Sequence, residues 1–154
     1  MGIIENSDLD FQIKKLKEQQ NSIVFTNGCF DLLHKGHIDL LNKASTFGDI
    51  LIVGLNSDNS VKTLKGKDRP IENEMSRSKK LLEISDVDYV IIFNSETPRD
   101  LIIKIMPDVL VKGGDYSIDD IVGSNEVISS GGKVKIVPIT KGFSTTSIIK
   151  SRQG

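Results

Sequence analysis

Among 154 residues there is a single cysteine, Cys29, and there are only two histidines, His34 and His37. One thiol excludes an internal disulfide and fits a reducing cytosol. With no further Cys or His to complete a structural tetrahedron, a zinc site on Cys29, His34 and His37 is the weaker alternative reading of that cluster. No apolar run approaches the length that spans a bilayer, and Met1 to Gln20 is polar and charged without the apolar core of a signal peptide. The expectation is a cytoplasmic protein with no membrane segment. A net charge of −1 gives no general polyanion surface, so nucleic acid is not an expected partner. Internal repeats and low-complexity tracts are also missing.

What is present suits one compact domain: 38% hydrophobic and 27% charged residues, at a length that buries a core without staples. The charge is unevenly placed. Lys62, Lys65, Lys67, Arg69, Arg77, Lys79 and Lys80 face only Asp68, Glu72 and Glu74 in the same stretch, a local surplus of four positive charges. Such a run is either a solvated face or a surface that attracts phosphates.

One stretch organises the rest: Thr26-Asn27-Gly28-Cys29-Phe30-Asp31-Leu32-Leu33-His34-Lys35-Gly36-His37. It follows the apolar run Ile23-Val24-Phe25 and precedes an amphipathic segment carrying Ile38, Leu40, Leu41 and Ala44, which reads as strand, glycine-bearing loop and helix. Three residues are nearly one helical turn, so His34 and His37 can point the same way. Helix starts have unpaired N–H groups and partial positive charge, and so bind phosphate. Two imidazoles there would add donors that follow charge as it builds on a phosphoryl group. The plainer alternative is a pair of ordinary polar residues at a helix start.

Along the chain, residues 7–20 read as a helix with Leu9, Ile13 and Leu16 as its apolar stripe, an N-terminal extension (1–20) to a domain spanning 21–154. Strands are expected at 22–27, 50–53, 90–93, 109–111 and 134–137, each followed by a helical pattern. The loop to about Asn73, with its glycine and proline, reads as a mobile element. Ser144 can cap a final helix through Ile148 and Ile149. Alternating strands and helices predict an α/β fold: a Rossmann-like, doubly wound, five-stranded parallel sheet in the order 3-2-1-4-5. Ligands then sit beyond the carboxyl ends of the strands where the order reverses, so the Gly28–His37 loop should face the Lys112–Tyr116 turn. Neither a G-x-G-x-x-G fingerprint nor a G-x-x-x-x-G-K-[ST] loop occurs, which disfavours a dehydrogenase or a P-loop ATPase.

The stretch Gly28-Cys29-Phe30-Asp31 through His34-Lys35-Gly36-His37 resembles the first signature of the cytidylyltransferase-like nucleotidyltransferases, a G-x-F-D loop followed by H-x-G-H, and Ser144-Thr145-Thr146 resembles their second. Leu64-Lys65-Gly66, Arg69-Pro70, Glu96-Thr97-Pro98, Val111-Lys112-Gly113-Gly114-Asp115-Tyr116 and Gly123-Ser124-Asn125-Glu126-Val127 are similar to the adenylyltransferase domain of bacterial ADP-heptose synthesis. The likeness runs from about Asn21 to Lys150. Glycerol-phosphate cytidylyltransferases share both signatures but typically carry Arg where Ile139 stands, a departure that favours ATP over CTP.

This resemblance implies transfer of AMP from ATP to a sugar 1-phosphate, with D-glycero-β-D-manno-heptose 1-phosphate as the leading acceptor and ADP-heptose and pyrophosphate as products. The alternatives are a CTP-dependent enzyme acting on glycerol 3-phosphate or a similar alcohol phosphate, and a non-catalytic nucleotide-binding protein. It implies Mg²⁺ carried with ATP, no dedicated metal residue, and a homodimer or larger assembly. Asp31 and Asp115 are the carboxylates that could hold metal if they meet. Catalytic roles fall to His34 and His37 at the α-phosphate and to Lys65 as a neutralising cation. Nucleotide contacts fall to Thr26, Asn27, Gly28, Cys29, Phe30, Gly36, Arg77, Lys112, Gly113, Gly114, Asp115, Ser144, Thr145 and Thr146, with Arg77 alternatively serving structure or a subunit contact. Cys29 as a nucleophile is disfavoured, because an anionic phosphate attacks without a covalent step.

Overall fold

The computed structural model describes residues 2–114 and 116–138. The run Ile23-Val24-Phe25-Thr26 is buried along its whole length, as a strand covered on both faces should be. It forms β2 (Ile23–Gly28), which pairs in parallel with β3 (Ile50–Asn56) from Ile23↔Ile50 to Gly28↔Leu55 and with β5 (Val109–Gly113) through Val24↔Val109 and Phe25↔Leu110. Outside these lie β4 (Tyr89–Phe93) beside β3, and β6 (Lys133–Val137) beside β5.

Among the described residues the sheet has six strands, not five, because the chain start adds β1 (Gly2–Ile3) against β4. The order is therefore 1-4-3-2-5-6 rather than 3-2-1-4-5, although the five anticipated strands keep their neighbours. Two residues are too few for an apolar pattern. What makes them a strand is the free edge of β4, where Gly2 N–H reaches the Asp88 carbonyl at 3.1 Å and Ile4 N–H that of Val90 at 2.9 Å.

The α-helices among the described residues are α1 (Leu9–Glu18), α2 (Lys35–Ser45), α3 (Asp58–Lys65), α4 (Glu74–Leu82), α5 (Arg99–Ile105) and α6 (Ser124–Ser129). Successive strand residues face opposite ways, and the two faces bury separate cores. Phe25, Ile52, Ile91 and Leu110 pack with Leu9, Ile13 and Leu16 of α1, Leu101, Ile102 and Ile105 of α5, and Val127 of α6. Val24, Val53, Val90 and Val111 pack with Leu40, Leu41 and Ala44 of α2 and Leu81 of α4. Ser57 caps α3, its side chain accepting the Ser60 N–H, and Pro98 occupies the cap of α5. The segment after β5 forms a 3₁₀ turn, Ile118–Asp120, and then α6, separated by Gly123 at φ 86°.

Three carboxylates fix the amino ends of the inner strands. Asp108 accepts Ile23 N–H at 2.7 Å, Asp88 accepts Leu51 N–H at 2.8 Å, and Asp49 accepts Ser22 N–H at 2.9 Å. The opposite, carboxyl ends are thereby left to the loops that carry the site. Among the described residues no helix is long and apolar enough to cross a membrane.

Gly54 sits where β3 crosses the Phe25 ring, and a Cβ there would lie 2.6 Å from Phe25 Cζ. The ring is fully buried and has no room to yield. Gly54→Ala is expected to lower stability by about 1–3 kcal/mol, read as a fall in the urea midpoint at unchanged slope; an unchanged midpoint would show that the ring moves freely.

Candidate functional site

The loop leaving β2 turns tightly into α2. Phe30 (φ 47°) and Leu32 (φ 58°) both adopt left-handed backbone yet are buried, a strained path that the surrounding packing must hold. Phe30 packs over Gly28, where a Cβ would lie 3.0 Å from its ring, and meets the His37 ring edge-on at 5.3 Å.

His34 is the N-cap of α2 and His37 its third residue. The His34 Nδ1 accepts the His37 N–H and the His37 Nδ1 accepts the His34 N–H, both at 3.4 Å, a reciprocal cap built from two imidazoles. The rings stack at 3.7 Å and 21°. Burial lowers the His34 pKa; burial, then the charges of His34 and Lys65, push that of His37 down to about 4. With Nδ1 engaged as an acceptor, the proton of a neutral ring sits on Nε2. The helix start thus carries two imidazoles with their Nδ1 atoms turned to the backbone, beside the partial positive charge of the helix N-terminus.

A buried carboxylate holds this loop to the basic segment. Asp31 is inaccessible and accepts Arg69 Nε at 3.0 Å, Ile71 N–H at 2.7 Å and Glu72 N–H at 2.9 Å. Burial alone would raise its pKa, but these hydrogen bonds and the guanidinium outweigh it and hold the carboxyl below its usual range. Glu72 returns the contact by accepting Leu32 N–H at 3.2 Å and pairs with Lys80. The loop expected to be mobile is thus pinned at its second half. Arg77 is wholly buried: it donates to the carbonyls of Glu72 (2.9 Å), Cys29 (2.8 Å) and Asn56 (2.7 Å) and to Asp58 Oδ1 (2.7 Å). Its guanidinium is directed at protein groups, in keeping with the structural alternative.

The remaining candidates divide by position. Lys65 ends α3, is exposed, and lies close enough for its charge to act on Cys29 and His37. Burial raises the Cys29 thiol, only partly offset by Lys65, Arg77 and Arg69, which leaves it protonated at neutral pH. Across the crevice between β2 and β5, Lys112 is half-buried; desolvation lowers its pKa while Cys29 acts in the opposite sense. Gly113 and Gly114 follow, with Gly114 at φ 114° and its N–H on the Val137 carbonyl at 2.9 Å. The fold therefore gathers Gly28, Cys29, Phe30, His34, Gly36, His37, Lys65 and Lys112 at one end of the sheet. Thr26 is buried inside β2, with no partner for its Oγ1 among the described residues, and Asn27 is half-buried. Asp115, Ile139, Ser144, Thr145 and Thr146, and with them the final helix, lie outside the described residues. Among the described residues no group of three metal-ligating side chains occurs, and Asp31 is committed to the loop clamp. Sequence reading did not find Arg69 and Glu72 as partners of this loop. They stand about forty residues from it, and no local spacing announces the contact.

The cytidylyltransferase-like family model matches residues 25–151. The bifunctional protein HldE of Koribacter versatilis (strain Ellin345) is 52% identical over 148 residues, 96% of this chain and 30% of the relative. That of Histophilus somni (strain 129Pt) is 49% identical over 152 residues, 99% of this chain and 32% of the relative. The chain thus spans about a third of the length of these curated relatives. The crystal structure of the lipopolysaccharide core biosynthesis protein from Thermoplasma volcanium GSS1 is 33% identical with a TM-score of 0.63, covering 79% of this chain and 98% of that one. A pantoate-beta-alanine ligase from Francisella tularensis, 16% identical with a TM-score of 0.61, shares the fold.

Two measurements check the site. In a proton-NMR titration of the free protein, His37 is expected to titrate near 4, well below the ordinary 6.5, and to move upward when MgATP is added; an apparent pKa near 6.5 in the free protein would remove the neutral-donor argument. Because the Asp31 pKa is depressed on folding, its contribution is present above the unfolded value and lost as pH falls through the folded one. Asp31→Asn should therefore lower the melting temperature at pH 7 and shrink the wild-type loss seen on acidification below about pH 4. Parallel curves for the two proteins would show that the clamp does not depend on charge.

Proposed function

The chain belongs to the cytidylyltransferase-like family, and from that premise we propose that it transfers AMP from ATP to the phosphate of a sugar 1-phosphate, with D-glycero-β-D-manno-heptose 1-phosphate as the acceptor. The observation that carries the reading is the pair of stacked imidazoles held at the start of α2 by reciprocal Nδ1 caps. A non-catalytic nucleotide binder has no need of two desolvated donors held in this way.

In the proposed reaction an oxygen of the acceptor phosphate attacks the α-phosphorus of ATP. The new P–O bond forms as the bond to the β-phosphate oxygen breaks, and pyrophosphate leaves with that electron pair. The attacking oxygen is already anionic, so no base and no protein nucleophile is required, consistent with a protonated Cys29. The work is alignment of two anions and neutralisation of charge. His34 and His37 donate to the α-phosphate and the bridging oxygen, Lys65 approaches from the end of α3, and Ser144, Thr145 and Thr146 take the outer phosphates. Mg²⁺ enters with the triphosphate as part of the substrate. Arg77 acts at one remove, holding the Cys29 carbonyl and with it the path of the loop. ATP is favoured over CTP by Ile139 and by the Lys112-Gly113-Gly114-Asp115-Tyr116 turn. A cytoplasmic setting and a homodimer or larger assembly belong to the same proposal, on the strength of the family likeness.

The test is pyrophosphate release with Mg²⁺, D-glycero-β-D-manno-heptose 1-phosphate and either ATP or CTP. Release with ATP alone is expected; release with CTP alone would overturn the nucleotide assignment. His37→Ala should lower turnover by about 100-fold or more while ATP binding changes far less. Wild-type turnover in a folded His37→Ala protein would remove the histidine from the mechanism.

A further inference from the structure

Among the described residues the sheet ends in two edges of different chemistry. β6 carries Lys133 and Lys135, both exposed, and lysines on an edge strand guard it against pairing with another sheet. β1, at the far side, carries no charge: it consists of Gly2 and Ile3, and Ile4 follows. Gly2 and Ile4 give their N–H groups to the carbonyls of Asp88 and Val90. Backbone groups alternate in direction along a strand, so the N–H and C=O of Ile3 point away from β4 toward the open edge. Ile4 packs with the core under α1 and α5, so the side chain of Ile3, 37% exposed, falls on the α4 side of the sheet.

There it meets a helix with two distinct faces. Arg77, Ser78 and Leu81 of α4 are buried, and Arg77 holds the loop that leads to the histidines. Met75, Lys79, Leu82 and Glu83 recur at the spacing of one helical face and, with Ile3, line a groove of 690 Å³. Met75 is 60% exposed. Ile3, Met75 and Leu82 make the groove apolar. Its two charges, Lys79 and Glu83, are opposite in sign and one turn apart, and neither enters an ion pair among the described residues.

Such a face is complementary to itself. A two-fold axis through Ile3, normal to the sheet, sets two β1 strands antiparallel. Each Ile3 N–H then meets the Ile3 carbonyl of the partner subunit, the closed pair of an antiparallel ladder. The same axis sets two α4 helices antiparallel across the groove. Met75 comes toward Leu82 of the partner subunit, and Lys79 toward Glu83 of the partner subunit. An unrelated protein would have to match the edge, the apolar strip and both charges separately; a second copy supplies all three at once. We propose that the β1 edge and the outer face of α4 form the interface of a homodimer in which two sheets join through β1. This gives a surface to the assembly in the reading above, on which it rests, and it adds that one helix holds the catalytic loop on one side and the partner subunit on the other.

The test is analytical ultracentrifugation over a series of protein concentrations, with thermal unfolding as the check on folding. Met75, Lys79 and Glu83 are exposed, so their replacement leaves the core intact. Wild type is expected to dimerise. Met75→Glu places an unpaired carboxylate in the apolar strip and should weaken the dimer about tenfold or more. Lys79→Glu alone sets like charges across the axis and should also weaken it, whereas Lys79→Glu combined with Glu83→Lys restores opposite charges and should bring affinity back toward wild type. A dimer or larger assembly that Met75→Glu leaves intact would keep the assembly and overturn this face. Equal weakening by the single and the double charge exchange would overturn it too. A wild type that stays monomeric throughout the series would remove both the face and the assembly. Only mass is read, so none of these outcomes depends on which nucleotide or acceptor the site takes.

Discussion

The buried guanidinium of Arg77 is the contact on which the site depends. It reaches the carbonyls of Cys29, Asn56 and Glu72 together with the Asp58 carboxylate, so a single side chain ties the end of β3, the loop after β2 and the start of α4. A buried charge is tolerable only when its donors are satisfied, and here they are met by acceptors from three chain segments. Each carbonyl left without its donor would cost about 1–3 kcal/mol, so the loop geometry and the charge stand or fall together. Asp31 adds the complementary clamp, an anion held by Arg69 and two backbone N–H groups. Between them these two groups stabilise the left-handed residues Phe30 and Leu32, and through them the position of His34 at the helix start.

From that constraint the chemistry of the loop follows. His34 and His37 are held face to face and out of water, and two stacked imidazoles cannot both carry charge at modest cost. They remain donors at Nε2 instead. The same rigid loop keeps Cys29 half-buried, protonated and unsuited to attack. Exposed Lys65, at the end of α3, places a positive charge that acts on Cys29 and His37. Across the crevice the alternation of β5 sends Lys112 and Gly113 to opposite faces of the sheet.

Much of the fold was legible because its signals are local. The continuous apolar runs around Phe25, Ile52, Ile91 and Leu110 are strands buried by helices, and their alternation with helical segments gives a parallel sheet. The histidine pair was legible for the same reason, since a three-residue spacing on a helix fixes direction. Gly2–Ile3 was not, because an edge pairing of two residues depends on β4 offering free backbone groups and leaves no periodicity in the chain. The role of Arg77 was only half legible. A basic residue in a basic stretch reads as a phosphate ligand or a solvated charge, and burial cannot be read from residue type.

The sequence by itself determined the parallel α/β architecture, the helix start after β2 and the pairing of the two histidines there, since each is a matter of neighbours along the chain. Tertiary structure alone decided which charges are met by protein groups. Asp31 meets Arg69 across thirty-eight residues, Arg77 meets Cys29 across forty-eight, and Asn27 shares a recess with Lys112 and Asp120 from distant parts of the chain. Those pairings are set by strand order and by the face on which each residue falls, and a side chain's electrostatic role depends on the desolvation and partners found only there.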